Sequence, residues 1–397
     1  MDVHDVLVRG CGIVGKSLAL SLARQGLSVA LLMDDGDRQK ADVRAFALNA
    51  ASVSLLRNLK VWDALPAAAA TAVHDMHIEG DAQSSALDFS AWSQRLPELA
   101  WIVDAAALEA VLDNAVKFAP HIKQIDGQIH GQIDVEISAT LTALCEGRSS
   151  NSRDALGVVF EKNNYGHRGI AARLNCSLGH RHTARQWFRS PDVLALLPFG
   201  GVVGSAADGY DGAFAGAFAG ASASASASYA LVWSLPEAEA QKLLALDDAA
   251  FNAALMQASQ GAAGNLTLAS PRASWPLMRA QASAWCGPGW VLLGDAAHVI
   301  HPLAGQGLNL GLADVATLTK VLFEREPWRD LGDEKLLRRY ARQRTVPTQV
   351  MGQLTEGLLQ LFAAEQPAVR ELRNRGMSLV NKLPAVKRWL TSRALES

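Results

Sequence analysis

The chain has 397 residues and a formal net charge of −2, so it carries no electrostatic footprint for nucleic acid. Hydrophobic residues make up 49% and charged residues 19%, which excludes a disordered chain and supplies core for one or two globular domains. The four cysteines, Cys11, Cys145, Cys176 and Cys286, contain no C-x-x-C pair; a zinc or redox motif of that kind and a disulfide framework are excluded, and a reducing cytoplasmic setting is expected.

The first residues lead into a strand rather than a signal-peptide core, and no uncharged apolar run reaches the ~18 residues of a membrane-spanning helix. Asp5 to Arg9 reads as a short buried strand, Lys16 to Gln25 as a helix and Leu27 to Met33 as a second strand. Ala50 to Leu65 and Ala105 to Ala119 place apolar residues at helical spacing. Residues 134–145, Tyr165 to Leu174, Arg185 to Leu197, Tyr229 to Ser234 and Val291 to Gly294 read as strands. Gly307 to Leu322 is expected to be a helix, and 331–395 to be mostly helical with many Arg and Lys. Residues 204–228 are low-complexity Gly, Ala and Ser between two strand-like runs. They lack the apolar density to offset their ordering entropy and are expected to form a flexible hairpin insertion.

Two segments carry chemistry. Gly10-Cys11-Gly12-Ile13-Val14-Gly15 is a G-x-G-x-x-G match between a strand and a helix, the context of a dinucleotide loop. The first glycine permits the turn, the second admits the pyrophosphate and the third lets helix and strand pack, with phosphate on the helix N–H groups. A ribose-binding acid is expected about 20 residues on, where Asp34 and Asp35 stand; Asp34 is the better placed. The second segment runs from Gly294 to Gly311. Asp295 follows a short apolar strand and can reach ligand hydroxyls. Gly305, Gly307 and Gly311 allow close backbone approach, and Gln306, Gly307, Leu308 and Asn309 open a helix. Half-sites this far apart predict a flavin held at both ends. His298 and His301 have no carboxylate or cysteine cluster around them to support a metal site.

With these motifs, and with Asp42 to Leu48, Trp187-Phe188, Leu194 to Gly200, Leu231 to Ser234 and Trp275-Pro276-Leu277, the chain resembles the FAD-dependent aromatic hydroxylases of ubiquinone biosynthesis, a branch of the para-hydroxybenzoate-hydroxylase-like monooxygenases. The resemblance implies an α/β fold: a Rossmann-like FAD-binding domain with an inserted, mainly antiparallel β-sheet substrate domain and a helical C-terminal region. The expected division gives the FAD-binding domain 1–72, 101–164 and 275–330, the substrate domain 73–100 and 165–274, and the helical region 331–397. The implied reaction is ring hydroxylation of a polyprenylated phenol with O2, through a flavin C4a-hydroperoxide, with NAD(P)H as transient electron donor. No second dinucleotide loop for the nicotinamide is present, as in that family.

Carried over by position, Arg44 contacts FAD, Gly294 and Asp295 serve its ribityl or ribose region, and Pro302 with Gly305 to Asn309 lies beside the flavin ring. No acid–base pair stands out; His301, Pro302 and Gly305 form the flavin-face loop. The sequence departs from the family in three places: Met33 at the ribose acid, Glu146 for Asp in Cys145-Glu146-Gly147, and Arg9 for a small residue before the loop. The alternative is a catalytically weak or inactive partner subunit of a quinone-biosynthesis complex; a halogenase signature is absent. A lipophilic substrate further implies peripheral contact with the inner face of the cytoplasmic membrane, for which Met377 to Leu390 is the best-suited segment.

Overall fold

The structure is a computed structural model and describes residues 3–33, 42–80, 86–126, 137–200, 228–300 and 306–363. Its first sheet is built at the centre on apolar runs, Val6–Val8 and Val29–Met33, that are buried on both faces, as parallel strands covered by helices require. Its order is β16 (Cys286–Gly287), β17 (Trp290–Leu292), β9 (Ser138–Leu144), β1 (Val3–Arg9), β2 (Val29–Met33) and β8 (Ile122–Asp126). The pairs from β17 to β8 are all parallel. The carboxyl ends of β17, β9, β1 and β2 therefore lie side by side on one edge, where ligands bind in sheets of this kind.

Helices cover this sheet. α1 (Ile13–Ala23) is apolar around almost its whole circumference and is buried along most of its length. It packs against α4 (Ala105–Lys117) and α8 (Gln306–Phe323), and α8 packs in turn on α9 (Glu334–Ala363). α2 (Ala50–Asn58) also lies on α8. The helix expected from Ala50 to Leu65 stops at Asn58 because Lys60 takes a left-handed backbone, φ 62°. A short 3-10 turn follows at Trp62–Ala64.

A second sheet is largely antiparallel: β18 (His298–Val299), β15 (Ala273–Ala282), β10 (Phe160–Cys176), β13 (Ser228–Pro236), β12 (Asp192–Phe199), β11 (Thr183–Arg189), β5 (Asp75–Glu79) and β6 (Ala86–Ser90), with β14 (Leu266–Leu268) also on β10. The β11–β5 pair is parallel. Side chains alternate across this sheet. Ile170, Leu174, Leu194, Leu196, Leu231 and Trp233 face back into a core closed by α6 (Glu237–Ala245) and α7 (Asp248–Ala258). Leu197 and Phe199 belong to the opposite face. They pack against the cluster of Val73 and Ile102 on a three-stranded sheet, β3 (Ala45–Leu48), β7 (Ala100–Asp104) and β4 (Ala70–Val73). That sheet joins the two larger ones, and short α3 (Ala91–Gln94) and α5 (Asn151–Ala155) complete the helices among the described residues.

The run from Arg185 to Leu197 is two strands, because the ladder turns at Ser190-Pro191, where proline cannot donate to it. β12 and β13 pair antiparallel from Phe199↔Ser228 onward, on either side of the segment expected to be a flexible hairpin insertion. Ser228 itself is the first residue of β13, and 201–227, like 364–397, lie outside the described residues.

One lock ties the late helix to the parallel sheet. Tyr340 of α9 is wholly buried, and its hydroxyl donates to the Leu292 carbonyl of β17 at 2.9 Å. Tyr340→Phe leaves that acceptor buried and unpaired. It is expected to lower stability by about 1–3 kcal/mol, read as a lower urea midpoint at unchanged slope.

Candidate functional site

Three loops leave the carboxyl ends of β1, β9 and β17. The first begins at Gly10, whose φ of 115° is closed to ordinary residues. A side chain on Gly10 would overlap the Cys145 carbonyl of the β9 loop, and one on Gly15 would overlap the Gly10 carbonyl. Gly12 differs: it caps α1 with no side-chain hydrogen bond, and a Cβ there would meet nothing within 4 Å. The loop is thus closed against protein at Gly10 and Gly15 and open at Gly12, beside the N–H groups of Ile13, Val14 and Gly15. This is the space and polarity that a diphosphate needs.

The second half-site meets the first at Val14. A Cβ on Gly294 would lie 3.3 Å from a Val14 methyl, and one on Gly311 would lie 2.7 Å from it. Residues nearly 300 positions apart in sequence are thereby in contact. Asp295 is exposed by surface area yet ringed by protein atoms, so it opens into a hollow and not onto a convex face. That desolvation raises its carboxyl pKa above the ordinary value, while His298, Arg148 and Arg44 oppose the rise.

Arg44 borders the same hollow, at the entry to β3. Its Nε and Nη2 donate to Asp42 at 2.7–3.0 Å, a fork that raises the guanidinium pKa. Arg173 on β10 donates through Nη2 to the Arg44 carbonyl at 2.6 Å and to Asp104 at 3.1 Å, and stacks on Phe199 at 3.7 Å. The second sheet therefore grips the segment that carries Arg44. Glu109 of α4 is a further acid in this field; burial raises its pKa, and Lys16 and Arg44 counter that.

The start of α8 is fixed from within. Asn309 is 1% exposed; its Oδ1 accepts from the Asn49 N–H at 3.0 Å and the Ser52 hydroxyl at 2.7 Å, and its Nδ2 donates to the Ala47 carbonyl at 2.8 Å. Its amide is engaged by protein: Oδ1 takes two donors, and one Nδ2 hydrogen goes to Ala47. Gly307 has open space where a Cβ would stand, and Gln306 Oε1 is a buried acceptor with no partner among the described residues. An open glycine and an unanswered acceptor at the helix start suit a ligand that brings one N–H donor to the acceptor, as the N3–H of a flavin ring does.

Asp314 went unnoticed in the sequence and is the polar centre of the region. Its carboxylate is fully buried and accepts from the Gly294 N–H at 2.9 Å, Arg344 Nε at 2.7 Å and His298 Nε2 at 2.7 Å. Burial alone would raise its pKa; His298 and Arg344 outweigh that and hold it below the ordinary value. His298 thus serves this cluster and stacks on Trp285 at 4.9 Å, and no metal-holding group occurs among the described residues. The available signal for Asp314 was a lone acid on the apolar face of a helix; Arg344 had none. Met33 is 3% exposed within the core, so the side chain at the family's ribose-acid position points inward. Asp34, His301, Pro302 and Gly305 lie outside the described residues.

A parallel sheet with a glycine-cradled helix start and a second acidic loop beside it defines a dinucleotide-binding protein, with an antiparallel sheet facing the crevice. The chain belongs to the FAD-binding domain family, whose signature spans residues 3–354. It is 27% identical to the 3-demethoxyubiquinol 3-hydroxylase of Escherichia coli K12, over 98% of each chain. It is also 27% identical to the ubiquinone hydroxylase UbiL of Rhodospirillum rubrum, over 99% of this chain and 90% of that one. Among solved structures, PqsL of Pseudomonas aeruginosa, described as a probable FAD-dependent monooxygenase, shares the fold with a TM-score of 0.74 at 18% identity. The match covers 95% of this chain and all of PqsL.

The Asp314 cluster gives a test of the site's scaffold. Arg344→Met leaves a buried carboxylate short of a partner and is expected to cost about 3–5 kcal/mol of stability. Because the folded pKa of Asp314 is depressed, its contribution is fully present above the ordinary carboxylate value of 3.8 and is lost as pH falls through the lower folded value. The stability gap between wild type and Asp314→Asn should therefore be flat at neutral pH and shrink only below pH ~4 in denaturant titrations.

Proposed function

We propose that this protein is an FAD-dependent monooxygenase that hydroxylates the aromatic ring of a polyprenylated phenol in ubiquinone biosynthesis, using NAD(P)H and O2. The observation that carries this reading is the similarity to a ubiquinol-ring hydroxylase over 98% of both chains. The convergence of the two half-sites at Val14 supports it. Bound FAD supplies the redox chemistry, accepting electrons from the nicotinamide and activating oxygen.

The chain's own residues bind and orient. In this reading the N–H groups of Ile13 to Gly15 take the diphosphate beside open Gly12. Asp34 takes a ribose, since Met33 is turned into the core. Asp295 accepts from cofactor hydroxyls, and Arg44, held by Asp42 and Arg173, keeps a cation in the crevice. Gln306 to Leu308 present the start of α8 to the flavin ring, with Pro302 and Gly305 before them. The facing sheet suits an apolar ring: Ala273, Ala171, Val232 and Ala195 align as one cross-strand row on the side opposite the α6–α7 core. Small side chains there leave room that larger ones would fill.

The same reading places the enzyme at a membrane surface or in a quinone-biosynthesis complex, because its substrate partitions into lipid. No helix among the described residues is long and apolar enough to cross a membrane, and Met377 to Leu390 lie outside them. Flotation of the full chain with anionic liposomes, against a truncation after Arg375, tests the tail's part; equal flotation of both removes it.

Activity is tested by expression in strains that each lack one ring hydroxylase. Restored quinone synthesis in one strain, with disappearance of its accumulated phenol, is the expected result; no restoration in any strain contradicts the proposal. A second test uses Asp295. Its pKa is raised in the free protein, and hydroxyl donors favour its ionised form, so FAD should bind most tightly above that pKa and progressively more weakly as pH falls through it. Asp295→Asn should bind FAD about tenfold to a hundredfold more weakly at neutral pH and lose this pH dependence, measured by flavin fluorescence titration.

A further inference from the structure

Two departures of this sequence from its family, read separately as Arg9 and Glu146, form one contact. Arg9 closes β1 immediately before Gly10, and Glu146 follows the end of the adjacent strand β9. The Cys145 N–H donates to the Arg9 carbonyl at 2.7 Å, which fixes the two strand ends to each other. Arg9 Nε then donates to Glu146 Oε1 at 2.8 Å. The Glu146 side chain is fully buried and that of Arg9 is 16% exposed.

The carboxylate is otherwise held by serines. Ser152 Oγ donates to Oε1 at 2.6 Å, and Ser150 Oγ and the Ser152 N–H donate to Oε2 at 2.7 and 3.2 Å. Ser150 in turn accepts from the Arg153 N–H at 3.1 Å, and Arg153 Nη1 donates to the Ala296 carbonyl at 3.2 Å. A continuous bonded path thus runs from the end of β1, through the β9 loop, to the loop that carries Asp295. Among the described residues, Arg9 is the cation bonded to Glu146.

The position of this carboxylate matters. The Glu146 backbone nitrogen lies 2.9 Å from where a Cβ on Gly10 would stand, so the backbone of Glu146 walls the dinucleotide loop, and its carboxylate is bonded to the residue just before Gly10. A diphosphate brought to that loop carries negative charge toward a buried carboxylate, in surroundings where charges are poorly screened. Serine donors satisfy the oxygens but cannot cancel the charge; the guanidinium can.

We propose that Arg9 and Glu146 form a cofactor-positioning pair: Arg9 neutralises a carboxylate beside the loop so that the diphosphate of FAD can approach, and the pair sets the spacing between the first and second loops. This rests on the FAD reading of the crevice. The longer Glu146 side chain and the bulky Arg9 are then one compensated change.

The test is a double-mutant cycle on the FAD-free protein, with Arg9→Met, Glu146→Gln and the double variant. Dissociation constants for FAD and for ADP are measured at low and high salt beside the thermal midpoint. Arg9→Met should weaken both ligands by about tenfold or more, with the larger loss at low salt. Glu146→Gln should leave affinity within about threefold, and the double variant should regain most of what Arg9→Met loses. Arg9→Lys supplies the charge-keeping comparison if Arg9→Met does not fold, and should bind more tightly than the methionine variant if that folds. A lowered midpoint with unchanged FAD and ADP affinity overturns the proposal, as does a double variant no better than Arg9→Met. Wild-type protein that binds neither FAD nor ADP would instead overturn the FAD reading on which the pair depends.

Discussion

Backbone crowding at Gly10 and Gly15 is the constraint on which the rest of this structure depends. A side chain at either position would overlap a carbonyl oxygen, so α1 can lie on β1 and β9 only while both are glycine. Once α1 is seated that closely, Val14 projects onto Gly294 and Gly311, and α8 has to approach to the same short distance. The carboxyl ends of three neighbouring parallel strands then face a single crevice, and loops distant in the chain share it. Apolar packing supplies the driving force for this core, but missing Cβ atoms determine its geometry.

Close packing of loops leaves polar groups that water cannot reach, and the chain answers three of them with buried networks. Asp314 gathers Gly294, His298 and Arg344; Asn309 gathers Ala47, Asn49 and Ser52; Glu146 gathers Arg9, Ser150 and Ser152. Each network joins segments that the sequence holds far apart. Networks of this kind are costly when half satisfied and specific when complete, so they fix the relative placement of loops that apolar contacts alone would leave free to slide. Arg173 extends the principle across to the antiparallel sheet, because its grip on the Arg44 carbonyl links the surface facing the crevice to the segment lining it.

What could be read from the sequence follows from range. The N-terminal strand–loop–helix–strand unit was legible because glycine spacing and apolar runs are local signals, and the α/β class with a second, mainly antiparallel sheet followed from the resemblance. The stop at Lys60 was not legible, since nothing in the composition around it marks a left-handed residue. The three-stranded sheet of Ala45–Leu48, Ala70–Val73 and Ala100–Asp104 was missed because its strands are short and alanine-rich, with little alternation to detect. Arg344 could not be linked to Asp314, 30 positions away, from any spacing rule. Asn309 shows the converse: its place in the motif was plain, but only the fold reveals that its amide bonds to protein. Arg9 and Glu146 looked like two independent departures until their strands were found to be neighbours.

The central claim is that one crevice, at the carboxyl ends of β1, β9 and β17, holds an FAD along its length. An experimental structure of the FAD-loaded protein measures this most directly. The expected electron density places the diphosphate against the N–H groups of Ile13 to Gly15 beside Gly12, with sugar or ribityl hydroxyls on Asp295 and the flavin ring at the start of α8. A flavin bound elsewhere, or a diphosphate that does not touch the Gly10 to Gly15 loop, would contradict it.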